Sequence, residues 1–570
     1  MDSAKVKTFT YVDYFCFAIV LLFSAAIGFY HGVKSRKRPS TKEEYLLGGR
    51  NMGLIPVICS LTATSASGMT ILGLSAEAYT YGIHTWLLTV TLLIGSIIFI
   101  HMFLPIFIEL NLTSSFEYFE LRFSKGVRIF ASVIYTISNL VILPVTIYVP
   151  ALAFQEVTGI DLTTTVTILS LLCALYTAIG GFKAVVWTDV LQLVLMITAS
   201  CIVAIVGIYS VGGVGNVWNA ADRTGRLNWI NYHDINSRTT IFGYMTSSIL
   251  NIYLFGLNQA FLQRYLSLPS LKKTKIASIF VAVIFGAFIC LAQFTGIIMY
   301  TTYETCDPFT SGAIKKMDQI LPYFIQDKAY YLTGFNGIFI AGLFSASLST
   351  TSSYLNALSG TIYEDFLNPW LKNIHESTVR NIIKSIVIIL GLIQILMVFL
   401  IQRMGMIFQI NYETMSISAS SLLGLFASGI LFRRVNAKGA QIGAVVGVLI
   451  IGVFIIGGLD NKPEPTLPLR TDGCDSEYSE LNLRSFQNSS ISESENKNSS
   501  EDVFWLFRIS FVYYGLIGLC VNLLVSYLAS LLTGGNVIKD ERLLAPFLRK
   551  HIKSVKTNQE LNMQKENLIR

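Results

Sequence analysis

Apolar residues run along this chain in long continuous blocks. They do not alternate as in a half-buried strand, nor are they confined to the narrow stripe of a surface helix. A block of about twenty residues, at about 1.5 Å rise per residue, matches a hydrocarbon layer roughly 30 Å thick. About thirteen such spans are predicted, at 11–31, 52–79, 85–109, 128–155, 163–180, 185–211, 240–260, 275–302, 334–360, 381–402, 406–432, 438–458 and 503–533. A transmembrane barrel is excluded, because its strands would show two-residue alternation. The fold class expected is therefore an all-α polytopic membrane protein. The first block is long and has no small-residue cleavage site behind it, so it is expected to stay as a span.

Two of the blocks are interrupted by polar and small residues. The second contains SLTATSASGMTILGLSAEAYTYG, and the seventh contains MTSSILNIYLFGLNQ. Spans 2–6 (52–211) and 7–11 (240–432) thus form two sets of five, each opening on an interrupted helix, the trace expected of an inverted-repeat transporter. Ordinary helix contacts also use Gly and Ser, so the composition alone leaves that alternative open. One extra helix (1–31) precedes the sets. Two more follow (438–533), joined by a Ser-, Asn- and Glu-rich loop at 459–502 that is expected to be flexible. A charged tail (534–570) is expected to be solvated.

Composition supports the membrane reading. Mean hydropathy is +0.57 and only 14% of residues are charged, where soluble domains carry about 25%. Most Lys and Arg residues fall on one side if the N-terminus is outside: KSRKRPSTK at 34–42, LKKTK at 271–275, Arg433-Arg434 and the tail. The positive-inside rule then places the N-terminus outside and the C-terminus in the cytoplasm of a plasma-membrane protein. Loop 459–502 falls outside in this topology and holds two glycosylation sequons, at Asn488 and Asn498, whereas the sequon at Asn111 falls inside. The net charge of +7 mostly reflects cytoplasmic segments, so nucleic acid is not an expected partner. Of eight cysteines, Cys306 and Cys474 alone sit in outside loops, where a disulfide is chemically permitted.

Candidate chemistry centres on the ninth block. FSASLSTTSSYLNALSG (344–360) carries eight Ser or Thr residues inside a span. A small hard cation is best held by oxygens, which hydroxyls of an intact helix and carbonyls of an interrupted one can supply. Ser349 and Thr350, with the carbonyl of Ala346, can present oxygens from one patch of helix. The carbonyls of Thr62 and Ser65, beside the break in span 2, would complete the shell. The alternative is that these hydroxyls bond back to carbonyls four residues earlier. Asp189 is the clearest acidic residue near the start of a span, either part of an ion pathway or an interfacial residue at a helix N-terminus. Glu77, Glu109 and Glu413 are read as interfacial. No Lys or Arg is expected deep within a span.

The stretches EEYLLGGRNMG (43–53), SLTA (60–63), TSSFEYFELRFSKGVR (113–128), YVPALAFQEVTG (148–159), GGFKAVVWTDVLQ (180–192), GLNQAFLQRYLS (256–267) and SLSTTSS (347–353) with EDFLNP (364–369) resemble the solute:sodium symporters, specifically their monocarboxylate, multivitamin and iodide branch. The resemblance implies a LeuT-like 5+5 core on spans 2–11 with Na+ as coupling ion. It implies a sodium site from the backbone of Thr62, Ser65 and Ala346 and the hydroxyls of Ser349 and Thr350, with Asp189 assisting nearby. It also implies a substrate site near Thr64, Ala66, Thr70, Tyr148, Asn251 and Phe255. The chain departs from relatives in reading SLTATSASG where they have a bulky Phe-Met pair, and Ser420-Ser421-Leu422-Leu423-Gly424 where many have a proline. The expected function is sodium-coupled import of a small organic anion, such as a monocarboxylate, a vitamin or iodide, by alternating access. A sugar, polyol or other solute transporter and a non-transporting sensor are the alternatives. No HExxH or GxSxG motif and no paired intramembrane aspartates suggest an enzyme.

Overall fold

A computed structural model of the chain describes residues 9–36, 42–227, 235–237, 240–371, 374–401, 407–458, 466–474, 504–535, 538 and 540–549. Its membrane-scale helices are α1 (Tyr11–Arg36), α2 (Leu54–Ser65), α3 (Gly68–Tyr81), α4 (Ile83–Glu109), α5 (Lys125–Thr158), α6 (Leu162–Ser210), α7 (Ile241–Ile252), α8 (Gln259–Leu266), α9 (Leu271–Thr302), α10 (Phe335–Thr361), α11 (Glu376–Ile401), α12 (Ile407–Leu431), α13 (Ala437–Gly458) and α14 (Tyr514–Leu532).

Among the described residues, ten helices are long and apolar enough to cross a membrane, or eleven if a bent pair counts as one span. The expected thirteen differ from this at three places. The second block is split into α2 and α3, each too short to cross alone. The fifth and sixth form the 49-residue run α6, which at about 1.5 Å per residue would be far longer than a bilayer is thick. It is interrupted at Gly181, whose backbone is non-helical (φ 61°, ψ −161°). The seventh is the short α7, extended by an irregular turn over Tyr253–Leu257.

The apolar interior divides into two large clusters, and the change from one to the other falls at the polar stretches. Along α2 it falls between Leu61 and Ala66, along α10 between Ala346 and Leu348, and along α5 between Leu143 and Val145. Hydroxyl-bearing residues of α2 and α10 thus occupy the layer where two dry cores meet.

Two segments expected to be solvated are docked. Cys306 and Cys474 form a disulfide, and residues 466–474 lie over the end of α3. Leu467 N–H donates to Thr80 O (3.1 Å), Asp307 N–H to Arg470 O (2.8 Å) and Gly473 N–H to Thr305 O (2.9 Å). The chain turns beneath this strap at Gly82 (φ +90°), where a Cβ would come within 2.5 Å of Arg226 O. At the opposite end Leu543, Leu544 and Ala545 are buried; Tyr118 Oη donates to Leu543 O, and Ala545 N–H to Ile430 O. The sequons at Asn488 and Asn498 and the tail beyond 549 lie outside the described residues.

Candidate functional site

The site grows from the break in the second span. Helix α2 ends at Ser65, where Ala66 leaves helical geometry (φ −86°, ψ 90°). Ser67 then starts α3 as its N-cap, sharing a capping box with Thr70. A break at this point frees carbonyls of the last turn of α2 for partners outside the helix. One partner is present: Thr350 Oγ1, on α10, lies 3.1 Å from Thr64 O and 3.1 Å from its own helix's Ala346 O. Its single proton is shared between the two carbonyls, and its lone pairs are left over. Thr62 O accepts from Ala66 N–H (3.0 Å).

The hydroxyls of the run fall into two groups. Ser352, Ser359 and Thr361 bond back to carbonyls of the preceding turn. Ser345, Ser347 and Ser349 are buried with no hydrogen-bond partner for Oγ, as are Thr62 Oγ1 and Asp189 Oδ1. Leaving so many buried polar atoms unpaired is costly. Their chemistry, neutral hydroxyls beside one carboxylate, fits a small hard cation. No group of three or more His, Cys, Asp or Glu suited to a transition metal occurs among the described residues.

Asp189 is not interfacial. It is 0% exposed within α6 and faces Arg264, which is 0% exposed on α8. Arg264 follows the seventh predicted span, 240–260, and is enclosed by protein. Ser60 Oγ donates to Asp189 Oδ2 (2.6 Å) and accepts from Arg264 Nε (2.7 Å). Arg264 Nη2 reaches Asp189 Oδ2 at 3.4 Å and also Ser353 Oγ, which is 2.8 Å from Thr64 Oγ1. Arg264, Ser60 and Ser353 were missed as site residues. The available signal was QR at 263–264, a basic residue set between apolar Leu262 and Tyr265 just past an interrupted span.

Two cavities open beside the break. The larger encloses about 930 Å³ of non-atom space, part of it open to solvent. Ser65, Ser67, Thr70, Asn251, Phe255 and Tyr412 are among its walls. The smaller is lined by Thr64, Thr350, Phe255 and Tyr354 among others. Among the described residues, no charged side chain lines either. Thr64, Thr70, Asn251 and Phe255 therefore meet at the cavities as expected, whereas Ala66 and Tyr148 are buried in the apolar cluster behind them. The amide of Asn251 is partly committed, donating to Thr91 Oγ1 (3.0 Å).

A broken helix whose carbonyls face a hydroxyl-rich helix, beside an uncharged cavity, defines an ion-coupled membrane carrier. The sodium:solute symporter family model matches residues 45–447, and the chain belongs to that family. It is 33% identical to sodium-coupled monocarboxylate transporter 1 of Homo sapiens, over 98% of this chain and 95% of that protein. It is 35% identical to sodium-coupled monocarboxylate transporter 2 of Bos taurus, over 82% and 77%. With the sodium-dependent multivitamin transporter of Oryctolagus cuniculus it shares 33% identity, over 93% and 83%. A solved Na+-coupled sialic acid symporter in a substrate-bound outward-open state superposes with a TM-score of 0.74 at 23% identity, covering 93% of this chain and all of the other. That likeness establishes the shared fold.

Proposed function

We propose that this sodium-coupled symporter imports a small organic anion, of the monocarboxylate or vitamin class, across the plasma membrane by alternating access. Thr350 Oγ1, Ser349 Oγ and the carbonyls of Ala346, Thr62 and Ser65 hold sodium, and Asp189 assists from below. Thr64, Thr70, Asn251 and Phe255 contact the solute. Residues 52–211 and 240–432 act as the two repeats. The N-terminus lies outside and the C-terminus in the cytoplasm, which agrees with a disulfide at the outer end.

The observation that carries this reading is the Thr350 hydroxyl, set between the carbonyl end of α2 and α10 amid unpartnered buried oxygens. The preference for an anion rests on the cavity walls. An anion there meets hydroxyls, an amide and bound sodium, so the cation both completes the binding site and drives uptake. The mode of recognition is the same for a carboxylate or iodide. The names of the relatives favour an organic acid.

The test is a radiotracer panel in expressing cells, comparing lactate-type acids, biotin, pantothenate, iodide and glucose in sodium and in choline. Saturable uptake of an acid or vitamin in sodium alone is the expected result. Uptake of glucose only, or fluxes indifferent to sodium, would overturn it.

A further inference from the structure

Arg264 reaches a different helix with almost every group it has. Its guanidinium donates to Ser60 Oγ on α2 (2.7 Å), to Ala260 O on its own α8 (2.6 Å) and to Ser353 Oγ on α10, and pairs with Asp189 on α6 (3.4 Å). Its position along the transport axis follows from sequence order. Ser60 lies one turn before Thr64 on α2, pointing away from the break and from α3. Ser353 lies one turn beyond Ser349 on α10, away from the disulfide end. The larger cavity is on the other side of the ion oxygens, walled by Ser67, Met69, Thr70 and Leu74 of α3, whose far end carries the strap at Thr80. Arg264 therefore closes the protein beneath the ion and solute, on the side opposite the disulfide.

We infer that Arg264 is a positioning residue that latches the inward gate: it ties α2, α6 and α10 together below the site while the cavity above is accessible. The inference rests on the sodium-symport reading and identifies what shuts the inward path. A guanidinium suits the task because its rigid fork of five donors serves several acceptors at fixed angles, whereas an ammonium is a single point charge on a flexible stem. The latch grips the two helices that supply the sodium oxygens, since Ser353 also contacts Thr64 Oγ1 (2.8 Å). Sodium bridges α2 and α10 from above and Arg264 bridges them from below, so both favour the same closed arrangement of the inner half. Loosening the latch moves the population toward the inward-open form, and the apparent affinity for external sodium falls by the fraction of competent molecules lost.

Asn356 supplies a reporter. It lies three residues past Ser353 toward the inward end of α10, and is 1% exposed with both side-chain polar atoms unpartnered. The experiment places Asn356→Cys in a background where the exposed free thiols Cys290 and Cys520 are replaced by Ser. The rate of labelling by a membrane-impermeant maleimide is then followed in inside-out vesicles without sodium. Arg264→Lys should raise that rate at least fivefold and raise half-saturating sodium for uptake by a similar factor. Ser353→Ala, which removes one arm of the latch and leaves the charge pair intact, should give a smaller rise in both. A labelling rate equal to the parent's in whichever of these variants reaches the membrane would overturn the latch. Sodium-dependent uptake by the unmodified protein separates the two readings: if it is present the latch alone has failed, and if it is absent the symport reading has failed first.

Discussion

Thr350 divides one proton between two carbonyls, Thr64 O on one helix and Ala346 O on its own, and its oxygen lone pairs are what a cation would use. Removing the hydroxyl leaves Thr64 O without that contact and, on the proposed sodium site, deletes a ligand. Hydrogen bonds to charged groups contribute about 1.5–3 kcal/mol, and about 1.4 kcal/mol is tenfold in an equilibrium constant. Thr350→Ala should therefore raise half-saturating sodium about tenfold or more at unchanged surface abundance, and Thr350→Ser should stay within about threefold of the parent. A sodium titration of uptake, with surface biotinylation alongside, reads both, and unaltered sodium dependence in the alanine variant would remove Thr350 from the site. The hydroxyl run was legible in the sequence as a polar patch inside an apolar span, although which hydroxyls bond back to their own helix was left open. Arg264 was not legible. Its burial depends on Asp189, 75 residues earlier in the chain, and a local reading of hydropathy cannot supply a counter-charge from another helix. For Asp189 the sequence left an ion-pathway role and an interfacial one open, and the same missing counter-charge is why it did not choose between them.

Helices α13 and α14 pack through small residues. A Cβ added at Gly443 would meet Ser526 Oγ and the Asn522 carbonyl, and one at Gly439 would meet Ser530 Oγ and the Ser526 carbonyl. Close approach of this kind is a main route to helix association in lipid, where apolar surfaces gain little from leaving the solvent. From α14, Asn522 Nδ2 also reaches the carbonyls of Ser420 and Ser421 on α12 (3.4 and 3.1 Å). The added helices thus brace the tenth core helix without touching the cavities. Gly443→Ala forces a shift typical of overpacked cores, about 1–3 kcal/mol. It should lower the thermal midpoint of the detergent-solubilised protein measured by fluorescence-detected chromatography, while half-saturating sodium stays as in the parent. An equal loss of sodium affinity would show that α13 and α14 take part in the transport cycle. Long apolar blocks predicted most helices because a span has to match the bilayer. They also marked both breaks, since spans 163–180 and 185–211 leave Gly181 between them and the polar stretch of the second span leads to Ala66.

The whole molecule has two chemically distinct ends, and its energetics depend on which one faces out. The disulfide and strap mark one end. The other carries the basic segments and the docked residues 543–545. The segment that brings Cys474 to the strap continues into the sequons at Asn488 and Asn498. Enzymatic deglycosylation should therefore raise gel mobility, and the joint change of Asn488→Gln and Asn498→Gln should abolish that shift. Retention of the shift through Asn111 would invert the topology. With the disulfide end outside, an inward sodium ion gains about 2.3 kcal/mol per 100 mV and about 1.4 kcal/mol from a tenfold gradient. One sodium carried with a monovalent anion cancels the electrical part and supports only about tenfold accumulation. A second sodium carried with each anion restores the voltage contribution. Accumulating an anion beyond the sodium gradient thus requires net positive charge to enter with each cycle. Voltage-clamped cells should show a saturable inward current on adding the transported acid, with at least one net positive charge entering per anion taken up. Strictly electroneutral uptake would leave a single sodium as fuel and cap accumulation near the sodium gradient itself.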